Sequence, residues 1–115
     1  MNISITFRHM ESTDSVKTYA TEKIGKLQRM LRQPMKGEVK LSTQHRTHTA
    51  EVDIHAGGEH FHAHETTEDM YATLDLVADK LERQVRSRNE EKKKKGGERA
   101  SDHLMVDALD DSGEE

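Results

Sequence analysis

Every strand-like stretch of this chain is apolar at alternate residues only. Ile3, Ile5 and Phe7 alternate with Asn2, Ser4, Thr6 and Arg8, and Val39 and Leu41 alternate with Lys40 and Ser42. Val52 and Ile54 alternate with Glu51, Asp53 and His55; Phe61 and Ala63 alternate with His60, His62 and His64. Successive strand side chains point to opposite faces, so this rhythm predicts half-buried strands. A sheet made of them has one covered face and one wet face.

Two stretches of helical period supply the cover. Val16, Ala20, Ile24, Leu27 and Leu31 share one helix face, with Tyr19 and Met30 at its border. Thr13 and Asp14 are N-cap candidates, and Pro34 stops the helix. A second stripe, Met70, Leu74, Val77, Leu81 and Val85, starts from about Glu68 and fades around Arg88. Gly57-Gly58 marks a hairpin turn between the last two strands. The expected fold class is therefore α+β, in the order β-α-β-β-β-α. A four-stranded, mostly antiparallel sheet carries two helices on one face, similar to a double-stranded-RNA-binding domain with a strand added in front. Such a likeness of fold licenses no function.

At 115 residues the chain holds one domain, expected over residues 1–95, followed by an acidic tail over 96–115 that is expected to be disordered. Only 31% of residues are hydrophobic, so the core is thin and a deep, dry catalytic cavity is not expected. Cysteine is absent, which excludes disulfides, Cys-ligated zinc and thiol chemistry. No apolar run approaches the roughly 20 residues that span a bilayer, and the N-terminus lacks a signal-peptide pattern. The expected compartment is the cytoplasm, with no membrane partner.

The formal charge of −4 hides an asymmetry. Residues 1–97 carry 17 Lys and Arg against 15 Asp and Glu, whereas residues 98–115 carry one against seven. Within residues 80–95, eight cations face three glutamates. Lys80, Arg83 and Arg86 recur on the second helix away from its apolar stripe, Lys92 to Lys95 extend the charge, and Lys17, Lys23, Lys26 and Arg29 lie on the first helix. Arrays of this kind neutralise phosphates and release counterions. A solvated helix face, with Asp79, Glu82, Glu90 and Glu91 as intrahelical partners, explains the same spacing slightly better on periodicity alone. Side-by-side packing of the helices would merge their basic faces, which favours RNA.

Six of the eight histidines lie between His45 and His64, and His60, His62 and His64 share one strand face. Alternate strand residues stand roughly 6.5 Å apart, too far for three to share one zinc undistorted. A cross-strand partner such as His55 would be needed, so exposed histidines are the simpler reading, with a histidine-based metal-binding module as the alternative function. A pH-sensitive polar face is a third reading. No nucleophile motif, metalloprotease motif or phosphate-binding glycine loop is present, so an enzyme, a cofactor and a small-molecule substrate are not expected.

The string Asp69-Met70-Tyr71-Ala72, Asp75-Leu76 and Asp79-Lys80-Leu81-Glu82-Arg83-Gln84 resembles the signature of the bacterial ribosome hibernation promoting factor and ribosome-associated inhibitor family. The likeness extends over about residues 1–95, through Met1-Asn2-Ile3, Thr13-Asp14, Glu22 to Leu27, Thr47-His48-Thr49 and the Gly57-Gly58 turn. It implies the β-α-β-β-β-α fold and binding to the small ribosomal subunit, in the channel of messenger RNA and of A-site and P-site transfer RNA. Inhibition of translation under stress or in stationary phase would follow by exclusion of those ligands. The matching rRNA-binding positions are Lys23, Lys26, Lys80 and Arg83, with Arg86 and Arg88 as additions and Lys92 to Lys95 as weaker ones. The short form is expected, since nothing here encodes the second domain that joins two ribosomes in long members, and the free protein is expected to be a monomer. The middle of the chain resembles members that assist ribosome pairing, and its acidic tail resembles members that leave single ribosomes inactive.

Overall fold

The computed structural model describes residues 1–97, with side chains through Glu91. The elements are β1 (Asn2–Arg8), α1 (Asp14–Gly25), a 3-10 turn (Lys26–Met30), β2 (Met35–Gln44), β3 (Thr47–Ala56), β4 (Glu59–Thr67) and α2 (Met70–Gly97). This is the expected order. The strands lie β1-β2-β3-β4 across one sheet, with β1 parallel to β2 and the other two pairings antiparallel. The parallel pair follows from the connection, because a crossover through α1 brings the chain back in its original direction. Two compact units divide the chain at Val85, the first holding the sheet, α1 and the start of α2.

Register puts the alternating apolar residues into rows across the sheet. Ile3, Gly37, Ile54 and Phe61 form one row; Ile5, Val39, Val52 and Ala63 form the next. These rows and both helical stripes join in one core, in which Ala20, Ile24, Leu74, Val77, Leu81 and Val85 are fully buried. Gly37 is part of the fit, since a Cβ there would stand 3.2 Å from Ile54 Cδ1. No helix among the described residues is long and apolar enough to cross a membrane.

Local chemistry sets the element ends. The Thr13 hydroxyl accepts from Val16 N at 3.3 Å and caps α1, as its position suggests. The first helix is shorter than its apolar stripe. It stops at Gly25, and a 3-10 turn carries Leu27 into the core. Glycine is a weak helix former, and Pro34, which cannot bond back to Met30, bounds the 3-10 turn that follows. The Gln28 amide then fastens the turn to the sheet, accepting from Met35 N at 2.8 Å and donating to Gln33 O at 2.9 Å.

Asp69 caps α2, accepting from Ala72 N at 2.9 Å, so the helix starts two residues after Glu68. Just inside, the buried Thr73 hydroxyl lies 2.8 Å from Asp69 O, 3.2 Å from His48 O and 2.7 Å from Thr67 Oγ1. This network ties the first turn of α2 to β3 and β4. The helix runs past Arg88 to Gly97, because Glu and Lys in the polar extension are good helix formers and need no apolar stripe. The expected tail over 96–115 falls outside the described residues beyond Gly97.

Two details shape the edge carrying the histidines. Gly57 turns the β3–β4 hairpin at φ 62°, and a Cβ there would lie 2.7 Å from Gln33 Cγ. On the outer edge of β4, the Gln84 side chain pairs with the His62 backbone as a further strand would. Its Nε2 donates to His62 O at 2.7 Å and its Oε1 accepts from His62 N at 3.3 Å.

Candidate nucleic-acid interface

The two helices meet at a polar cluster that no local sequence signal reveals. Asp75, exposed on α2, receives a hydrogen bond from Tyr19 Oη at 2.6 Å, across 56 positions of sequence. Lys23 Nζ lies 3.2 Å from the same carboxylate oxygen and 5.6 Å from the Tyr19 ring centroid. The Tyr19 and Tyr71 rings stand edge to face, with centroids 4.9 Å apart. Lys23 is in the last turn of α1, where the helix dipole also favours a cation.

The electrostatics follow the contacts. The Tyr19 hydrogen bond, helped by Lys23 and opposed by partial burial, holds the Asp75 carboxyl below its usual range. The same carboxylate pushes the Tyr19 hydroxyl and the Lys23 ammonium upward. A depressed carboxyl contributes stability above its unfolded value, about 3.9, and loses it as pH falls through the folded value. Replacing Tyr19 with Phe is therefore expected to raise the Asp75 pKa. An NMR titration of that carboxyl checks the direction.

Each of the other candidate cations has its own setting. Lys80 Nζ lies 2.5 Å from Glu65 Oε2 on β4, and Arg83 lies 3.0 Å from Asp79 one turn earlier. Lys26 is exposed just beyond α1 and, among the described residues, has no carboxylate at ion-pair distance. In the unit that begins at Arg86, both Arg86 and Arg88 are exposed, and Arg88 stands 3.7 Å from Glu91.

The expected merger of basic faces is thus incomplete, because Asp75, Asp79 and Glu65 interleave with the cations. The expected intrahelical partner Asp79 is present; Asp75 and Glu65 are the additions that pairing across elements supplies. Such exposed pairs contribute about 0–1 kcal/mol each, little enough for a polyanion to compete for the cation. Arg83 has five donors and can keep Asp79 while engaging a phosphate.

The histidines occupy the opposite, open face. His60 Nε2 and His62 Nδ1 lie 2.8 and 2.9 Å from one oxygen, Asp53 Oδ1, and His62 Nε2 lies 3.8 Å from Glu51 Oε2. His55, the expected cross-strand partner, instead stacks flat on His60 with centroids 4.3 Å apart. Burial pushes the Asp53 carboxyl up, but the two imidazole hydrogen bonds and the nearby charge bring it below its usual range.

Residues 3–93 match the family described as Sigma 54 modulation protein / S30EA ribosomal protein. The ribosome hibernation promoting factor of Azotobacter vinelandii is 30% identical over 103 residues, covering 89% of this chain and 96% of that protein. Its namesake in Escherichia coli strain K12 is 33% identical over 85 residues, covering 74% and 90%. Among solved structures, the N-terminal domain of Thermus thermophilus Protein Y superposes with a TM-score of 0.70 at 31% identity, over 74% of this chain and 96% of that one. A ribosomal subunit interface protein from Coxiella burnetii shares the fold, with a TM-score of 0.69 at 17% identity, over 78% and 99%.

Proposed function

Because this chain belongs to the Sigma 54 modulation protein / S30EA ribosomal protein family, with ribosome hibernation promoting factors among its relatives, we propose that it silences ribosomes by binding the small subunit. The family match carries this reading, since residues 3–93 take in Lys23, Lys26, Lys80, Arg83, Arg86 and Arg88. Those side chains contact rRNA phosphates in the channel of messenger RNA and of A-site and P-site transfer RNA. Inhibition is then steric: the protein breaks no bond and needs no cofactor. It acts as a monomer in the cytoplasm, where ribosomes work.

The interleaved carboxylates fit this role. Cations already held by Asp75, Asp79 and Glu65 adhere weakly to arbitrary RNA, and they engage phosphates fixed at matching positions. Co-sedimentation with purified small subunits tests the proposal. The protein is expected to pellet with empty subunits and to be displaced when messenger and transfer RNA fill the channel. It should bind free RNA duplex more weakly than it binds subunits. Failure to pellet, or pelleting indifferent to the filled channel, overturns the reading. Gradient profiles of the same mixtures show whether paired or single inactive ribosomes result.

A further inference from the structure

On the open face of the sheet, three side chains from β3 and β4 converge in a way the ribosome-binding role does not use. The carboxylates of Glu51 and Asp53 and one ring nitrogen of His62 all lie within 4.8 Å of one another. His60 Nε2 stands 2.8 Å from Asp53 Oδ1 and orients that carboxylate from outside the group. We propose that Glu51, Asp53 and His62 form a binding site for one divalent transition-metal ion of the zinc type, with His60 holding the Asp53 carboxylate in place.

The register removes the difficulty that strand spacing raises. Along β4 alone, His60 and His62 are too widely spaced to meet on one ion. Asp53 is paired directly across from His62, and His60 is one step diagonal to it, so the carboxylate oxygen sits between the two imidazoles. Ligand atoms around tetrahedral zinc at 2.0–2.2 Å lie about 3.4 Å apart. His62 reaches Asp53 through Nδ1 at 2.9 Å and Glu51 through Nε2 at 3.8 Å, and only one ring nitrogen can serve a given ion, so a turn of the exposed imidazole or of the Glu51 carboxylate completes the set. Entry of the ion requires the coordinating nitrogen of His62 to be unprotonated, its proton moving to the other ring nitrogen or leaving to solvent.

The donors are also held in place. His55 stacks on the His60 ring, and Gln84 clamps the His62 backbone on the outer edge. Asp53 is half-buried between neighbouring strands, so its carboxylate has little freedom to turn away. Ligands held in this way lose little entropy on binding. An imidazole with two carboxylates suits zinc, nickel, cobalt or copper, whereas calcium and magnesium require a shell of oxygens.

Calorimetric titration of the whole chain with zinc chloride at pH 7.5 tests the site independently of any ribosome. One saturable ion per chain is expected, together with a rise in the unfolding temperature. His60→Gln and His62→Gln are each expected to weaken zinc affinity by at least ~10-fold, and Asp53→Asn likewise. Both histidines are exposed, so their variants keep the fold, which circular dichroism verifies. Excess calcium should not compete. Absence of saturable binding, zinc affinity unchanged in the His60→Gln and His62→Gln variants, or equal affinity for calcium overturns the proposal.

Discussion

If the chain binds the small ribosomal subunit as proposed, exchanging Lys26, Lys80 and Arg83 together for glutamine is expected to lower its affinity for that subunit by roughly 100-fold. The size follows from about 1 kcal/mol for each exposed cation–phosphate contact, with 1.4 kcal/mol per decade of affinity. Salt dependence gives a second, independent reading. Six cations neutralising phosphates give a slope of about −4 to −5 in log affinity against log salt, so raising salt from 50 to 200 mM weakens binding roughly 300- to 2,000-fold. In the triple variant three cations remain and the slope falls to about −2 to −3, roughly 0.7 to 0.9 for each cation removed. Glutamine is the better replacement at Lys80 because Glu65, whose side chain is only 25% exposed, keeps a hydrogen-bond donor nearby. None of the three cations lies in the core, so the unfolding midpoint should stay close to that of the parent. Unchanged affinity in the variant, or binding indifferent to salt, removes the electrostatic mechanism while leaving family membership untouched.

How much of this was legible in the sequence depended on whether the cause was local. Alternation placed all four strands, because each has one face in the core and one in water. Thr13 announced the start of α1, and the stripe from Met70 to Val85 was read at the right phase. The early end of α1 was missed, since an apolar spacing continued through Leu27 and Leu31 looks helical whether the backbone is α or 3-10. The candidate cations were legible as charges, and the family resemblance selected among them. Their partners were not, because the separations that join Tyr19 and Lys23 to Asp75, or Glu65 to Lys80, leave no periodic trace. The histidine site failed for the same reason. Counting along β4 gives only the distance between neighbours on one strand, whereas Asp53 enters from β3 through register.

The largest effect on stability is expected from Leu74→Ala, set beside Leu76→Ala two positions along the same helix. Leu74 is fully buried against the sheet, whereas Leu76 is 44% exposed. Leucine and alanine have nearly the same helix propensity, so any difference between the two variants reports packing rather than helix formation. Removing Leu74 from a close-packed core costs about 2–5 kcal/mol, the transfer of the lost carbons plus the cavity they leave. A domain of this size has roughly 5–10 kcal/mol in total, so a loss in that range lowers the unfolding temperature by about 15 °C and approaches the threshold of folding. The cavity has little scope to collapse, because one sheet and two helices share a single thin core and every neighbour already packs against another element. Leu76→Ala should shift stability by no more than about 0.5 kcal/mol, as is usual for surface substitutions. Denaturant titrations of the two variants decide the matter. Equal losses would mean that the dry face of α2 is not the one its stripe defines, and a small loss at Leu74 would mean that the core re-forms around the gap.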